Sequence, residues 1–100
     1  LMAHLGVLKH SDILVILADF FMRVNEIRWT AISGVCRNRL VIVMRSDGVR
    51  RDMGKTATTL FGDIGSAGGH KSMARAEIPL DKLEGVDIAK FVQDKLMHHR

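Results

Sequence analysis

The run Leu40-Val41-Ile42-Val43-Met44 is apolar at every position and is bounded by Arg39 and Arg45. A strand sends successive side chains to opposite faces. Five consecutive apolar residues therefore mark a central strand covered on both sides. The stretch just before it, Ile27 to Cys36, reads as another strand, rich in β-branched and aromatic residues (Ile27, Trp29, Thr30, Ile32, Val35). Arg37-Asn38 supplies a turn, and Arg39 to Arg45 returns, so the two strands are expected to form an antiparallel hairpin.

The remaining elements are placed by periodicity and punctuation. Ser11 or Asp12 can cap a helix in which Ile13, Leu17, Phe20, Phe21 and Val24 recur at helical spacing, until Asn25-Glu26 breaks the pattern. Asp52 can cap a second helix through about Phe61, with Ala57, Leu60 and Phe61 inward. Gly62 to Gly69 holds glycine at positions 62, 65, 68 and 69 and is expected to be a loop. Met73 to Leu80, with Pro79 near its end, reads as a third strand. Asp87 caps a last helix whose stripe is Ile88, Phe91, Val92 and Leu96. Leu1 to His10 is ambiguous and reads as the end of a linker from an upstream domain. A strand-helix-strand step favours a right-handed parallel crossover. The expected fold is α/β: a small mixed sheet, made of an antiparallel hairpin plus a strand added by a helical crossover, with helices packed on it. Residues 1–100 form a single domain.

Composition bounds the function. The chain is 47% hydrophobic and 26% charged, enough to bury a core and exclude disorder. A net charge of +4 suits an anionic partner, a nucleotide or nucleic acid, or else a solvated basic surface. Cys36 is the only cysteine, which excludes an internal disulfide and a cysteine zinc site and fits a reducing, cytoplasmic setting. The apolar runs are too short and too interrupted by charge for a membrane span. The first residues do not resemble a signal peptide. Leu1 in place of an initiating Met points to an excised fragment.

The segment with the most chemistry is Gly62-Asp63-Ile64-Gly65-Ser66-Ala67-Gly68-Gly69-His70-Lys71. Glycine N–H groups can converge on an oxyanion, an imidazole can donate to a phosphate oxygen, and Lys71 adds positive charge. A phosphate-binding loop is one reading. A glycine-rich turn with an incidental surface histidine is the other.

Gly68-Gly69-His70, about 25 residues after Arg45-Ser46 and just before an alanine-containing strand, resembles the DHH-associated domain of DHH phosphoesterases. The similarity runs from about Asp12 to Leu80. The family loop reads Gly-Gly-Gly-His followed two residues later by Ala-Ala-Gly, whereas this chain has Ala67 at the first glycine and Met73-Ala74-Arg75 at the later positions. The resemblance implies the C-terminal, substrate-gripping part of a larger hydrolase, related to RecJ-like exonucleases, oligoribonucleases that also act on 3′-phosphoadenosine 5′-phosphate, and cyclic-dinucleotide phosphodiesterases. It implies a short oligonucleotide, nucleotide or other phosphate-ester substrate held by Gly68, Gly69, His70, Arg45, Ser46 and Lys71. The partner it implies is an N-terminal DHH catalytic domain carrying manganese or magnesium, with no cofactor bound by this domain itself. The chain has no Asp-His-His, and His98-His99 reads as a frayed helix end, so the domain alone is expected to be inert. A related domain occurs at the C-terminus of alanyl-tRNA synthetases, which makes an RNA-binding module the alternative. A dimerisation domain is a third reading, resting on the two-sided apolar strand.

Other residues admit two readings each. Arg50, Arg51 and Lys55 open the second helix, where positive charge opposes the helix dipole, so they are either functional or a solvated face. Trp29 is a core residue or a base-stacking platform. Arg75 faces outward from its strand or contacts phosphate. Asp19, inside an apolar helix, is expected to salt-bridge or cap a neighbouring segment.

Overall fold

The structure is a computed structural model and describes residues 1–23, 28–49 and 51–97. Its elements are β1 (Met2–Val7), α1 (Asp12–Arg23), β2 (Trp29–Cys36), β3 (Arg39–Ser46), α2 (Met53–Phe61), β4 (Ser66–Gly69), β5 (Met73–Pro79), a 3-10 turn (Leu80–Leu83) and α3 (Ile88–Met97). The five strands form one sheet in the order β1-β2-β3-β5-β4. β1 runs parallel to β2, and every other neighbouring pair is antiparallel. The mixed α/β fold read from the sequence is the one observed.

β3 lies at the centre and is covered on both faces, as its uninterrupted apolar run requires. Leu40, Ile42 and Met44 join Met53, Ala57, Phe61, Val92 and Leu96 in a core beneath α2 and α3. Val41 and Val43 join Leu14, Ala18, Ile32 and Cys36 in a second core beneath α1. The hairpin between β2 and β3 pairs Cys36 with Arg39 across Arg37 and Asn38. Both turn residues take positive φ, 54° and 61°, as a two-residue turn matched to the strand twist demands. Asp52 caps α2 by accepting the Lys55 N–H at 3.1 Å. Asp87 accepts the Lys90 N–H at 3.2 Å at the start of α3.

Three expectations are corrected. Leu1 to His10 is not a linker end, because Met2–Val7 forms an edge strand joined to β2 by α1, a parallel crossover. Gly62 to Gly69 is not all loop, because Ser66–Gly69 forms an edge strand on β5. The strand that follows α2 and β4 is not parallel to β3: β5 pairs with it antiparallel, Arg39 opposite Pro79 and Arg45 opposite Met73. The helical crossover lands one strand further out, on β4. The chain then folds back through Lys71-Ser72 so that β5 fills the gap between β4 and β3. The expected helix end at Val24, the break at Asn25-Glu26, the strand start at Ile27, Arg50 and His98-His99 all lie outside the described residues.

Candidate functional site

The glycine-histidine segment is built around the close approach of α2 to the β4–β5 hairpin. The His70 N–H donates to the Met73 carbonyl at 2.8 Å and closes the two-residue turn. The His70 and Lys71 carbonyls then accept the Gly54 and Met53 N–H groups at 2.9 and 3.0 Å. With the Asp52 side chain taking the Lys55 N–H, the N–H groups of Met53, Gly54 and Lys55, which have no partner within the helix, are satisfied within the protein. Glycine is required at this contact. A Cβ at Gly54 would lie 2.8 Å from the Gly69 carbonyl oxygen, and one at Gly69, whose φ is +148°, would lie 2.3 Å from that of Met73. Because Gly68 and Gly69 are in an extended strand, their N–H groups point to opposite sides rather than to one centre.

Between this hairpin and α2 lies a groove of about 510 Å³. Gly68, Gly69, His70 and Lys71 form one wall, and Asp52, Lys55, Thr58 and Thr59 the other. His70 and Lys71 are exposed, and the His70 ring nitrogen Nδ1 lies 3.4 Å from the Ser72 hydroxyl. Four of the six residues expected to meet phosphate are thus together. Ser46 and Arg45 are elsewhere. Ser46 is only 3% exposed and sits beneath the groove. Its hydroxyl lies 3.0 Å from the Arg51 and Lys71 carbonyls and accepts the Gly48 N–H at 3.1 Å. Arg45, one residue earlier on the same strand, points to the opposite face and pairs with Asp19 of α1. That pair accounts for an acid inside an otherwise apolar helix.

Sequence reasoning missed a second concave surface. α1 packs mainly on β2 and β3, which leaves the neighbouring face of β5 and β4 partly exposed. Arg75 stands on this face, 40% exposed, with its Nε donating to Glu77 at 2.8 Å and its Nη2 to the Ser11 hydroxyl at 2.9 Å. Two hollows, of about 460 and 280 Å³, meet at Arg75. The larger one is lined by His10, Arg37 and Arg39, and the smaller by Met73 and His70. These residues are dispersed from position 10 to position 75, and no local motif links them.

Trp29 is half-buried against the main core, and the Arg51 guanidinium lies over its ring, 5.0 Å from the centroid. His4 pairs through Nδ1 with the buried Ser33 hydroxyl at 2.8 Å. Burial holds the His4 pKa below the usual histidine range, and the nearby charge of Asp87 offsets part of that. Among the described residues no three His, Cys, Asp or Glu side chains gather as a metal site, and no helix is long and apolar enough to cross a membrane.

No family model matches the chain. An uncharacterized protein of Methanocaldococcus jannaschii is 31% identical over 94 residues. That match takes in 94% of this chain and 18% of the relative, so the chain spans less than a fifth of that protein's length. The fold is similar to the crystal structure of the C-Ala domain from Aquifex aeolicus alanyl-tRNA synthetase. The TM-score is 0.68 at 15% sequence identity, over 95% of this chain and 89% of the other. These findings correct the resemblance to the DHH-associated domain. The solved fold that this chain shares is that of the synthetase domain, and nothing supports a hydrolase, a phosphoesterase or exonuclease activity, or a DHH catalytic domain as partner. The Gly-Gly-His motif that carried the resemblance is accounted for by packing: Gly69 and Gly54 admit the helix to the hairpin, and the His70 backbone holds both.

Proposed function

We propose that this domain is a nucleic-acid-binding module whose ligand is RNA. The observation that carries the reading is the fold it shares, over 95% of its length, with a domain of an enzyme named for tRNA. The net charge of +4 and the groove flanked by Lys55, His70 and Lys71 support it. In this reading Gly68 and Gly69 present bare backbone to the groove. Lys55 and Lys71 neutralise backbone phosphates from the two walls, and His70 donates to a phosphate oxygen. The Thr58 and Thr59 hydroxyls are placed to meet phosphate or ribose. Arg45 and Ser46 act indirectly, Ser46 by holding the carbonyls of Arg51 and Lys71.

The test is a titration of the domain with a tRNA transcript over a range of salt. Phosphate contacts release counterions, so affinity falls steeply as salt rises. Lys55→Gln and Lys71→Gln should each lower the salt slope by about 1 without altering the melting temperature. A flat salt dependence rules the reading out.

A second reading, self-association, is favoured by one observation. Ile13, Ile16 and Phe20 recur along α1 and are 39%, 60% and 59% exposed, an apolar stripe on the side away from the sheet. Sedimentation that shows a monomer at high concentration eliminates it.

A further inference from the structure

We propose that the partly exposed half of the sheet beside α1 is a track for an extended single strand of nucleic acid. The proposal rests on the nucleic-acid reading above and adds the strandedness of the ligand and the residues that hold it.

The register places the track. Val43 faces Arg75 and Val41 faces Glu77 across β3 and β5, and Gly68 faces Arg75 across β5 and β4. All therefore share one face of the sheet, on which α1 covers Val41 and Val43 and leaves Arg75, Glu77 and Gly68 partly exposed. Val41 and Val43, buried beneath α1, back the two hollows, and the half-buried Met73 gives the smaller one an apolar floor. Groups that can meet phosphate stand at both ends: the His70 imidazole where β4 meets β5, and the Arg37 and Arg39 guanidinium groups at the β2–β3 turn. The six strand steps from Met73 to Pro79, the partner of Arg39, separate the ends by roughly 20 Å. Arg75 lies between them, nearer the His70 end, with its guanidinium held in place by Glu77 and Ser11. Arg37 and Arg39 have no ion-pair partner among the described residues.

Shape and charge favour a single strand. The two hollows, about 460 and 280 Å³, belong to the size class that admits one small ligand each. They have room for nucleotides in series. A duplex carries its phosphates on a convex outer surface and would touch the rim arginines without reaching Arg75. The acids in the track, Asp12 and Glu77, temper its positive charge, and the Glu77 carboxylate occupies the Nε edge of Arg75. The floor has no aromatic ring to stack on, so binding is held by phosphate contacts and tolerates any base sequence.

Fluorescence anisotropy with a short oligouridylate and with a base-paired RNA hairpin tests this. Arg39→Gln, an exposed position, should weaken oligouridylate binding about tenfold and leave the hairpin unaffected. Glu77→Gln removes a negative charge and frees Arg75, so it should tighten oligouridylate binding several-fold, a gain that a purely structural role would not produce. Gly68→Leu, at a position where an added Cβ meets nothing within 4 Å, should block the track in a folded protein. Oligouridylate affinity unchanged in Arg39→Gln and Glu77→Gln overturns the proposal. A domain that binds the hairpin through Lys55 and Lys71 yet ignores oligouridylate overturns the track alone. One that binds neither overturns the nucleic-acid reading with it.

Discussion

Removing one buried hydroxyl separates a structural Ser46 from a ligand-binding one. Ser46 Oγ lies 3.0 Å from two carbonyls, those of Arg51 and Lys71, and accepts the Gly48 N–H at 3.1 Å. One hydroxyl proton cannot satisfy both carbonyls fully, so the side chain supplies the equivalent of two hydrogen bonds, one donated and one accepted. Each is worth about 1 kcal/mol net, and a stranded buried partner adds up to about 1 kcal/mol more. Ser46→Ala, which keeps the side-chain volume nearly unchanged, should therefore cost about 2–3 kcal/mol. For a chain of 100 residues, 1 kcal/mol moves the melting temperature by roughly 4–8 °C. The expected drop is about 8–24 °C, with a urea midpoint lowered at unchanged m-value. Trp29 is the only tryptophan and lies under Arg51, so its fluorescence reports on the loop that Ser46 holds. A loss below about 0.5 kcal/mol refutes the reasoning. Combined with weakened RNA binding in a fully folded protein, that result would return Ser46 to direct contact with phosphate.

Gly69→Ala, which forces a Cβ to 2.3 Å from the Met73 carbonyl oxygen, should cost about 1–3 kcal/mol by thermal melting, whereas Gly68→Ala, with no atom within 4 Å of its added Cβ, should fall within about 0.5 kcal/mol of wild type. Equal effects at the two positions would show that glycine here serves something other than helix–hairpin packing. The His4 pKa is lowered in the fold, chiefly by burial, so the unfolded chain binds the proton more readily. This contribution to stability is complete above the unfolded histidine pKa of about 6.5 and is lost as pH falls through the lower folded value. The urea midpoint should decline on acidification below that range and decline less in His4→Gln; identical pH profiles for the two proteins would remove His4 as the cause.

Much of the fold was legible because particular residues left few choices. Five apolar residues from Leu40 to Met44 cannot all be buried unless both faces of their strand are covered, and they are. Arg37-Asn38 between two β-branched runs fits a two-residue turn, and Asp52 and Asp87 cap the helices they precede. β1 was not legible, because Met2–Val7 is a partly exposed edge strand whose pattern is blurred by His4 and Gly6. β4 was hidden for a related reason. Glycine density reads as loop, yet an edge strand of four residues pressed against a helix has no space for side chains at the contact.

The candidate site shows the same limit from the functional side. Gly68-Gly69-His70 suggested phosphate chemistry because glycine allows a backbone to approach an oxyanion closely. Glycine allows a helix to approach just as closely, and a Cβ on either Gly54 or Gly69 would strike backbone where α2 meets the hairpin. The two requirements leave the same residues in the sequence, so only the partner of the bare backbone distinguishes them. For Arg37, Arg39 and Arg75 the reverse holds. Arg37 and Arg39 alone read as solvated charges and Arg75 as an outward charge or a phosphate contact, and that they line one surface is visible only once β5 is inserted beside β3. The one local trace of it is Arg75 with Glu77, two residues apart on one face of a strand. A charge pair there, opposite the buried Val43 and Val41, marks the place where the cover given by α1 ends.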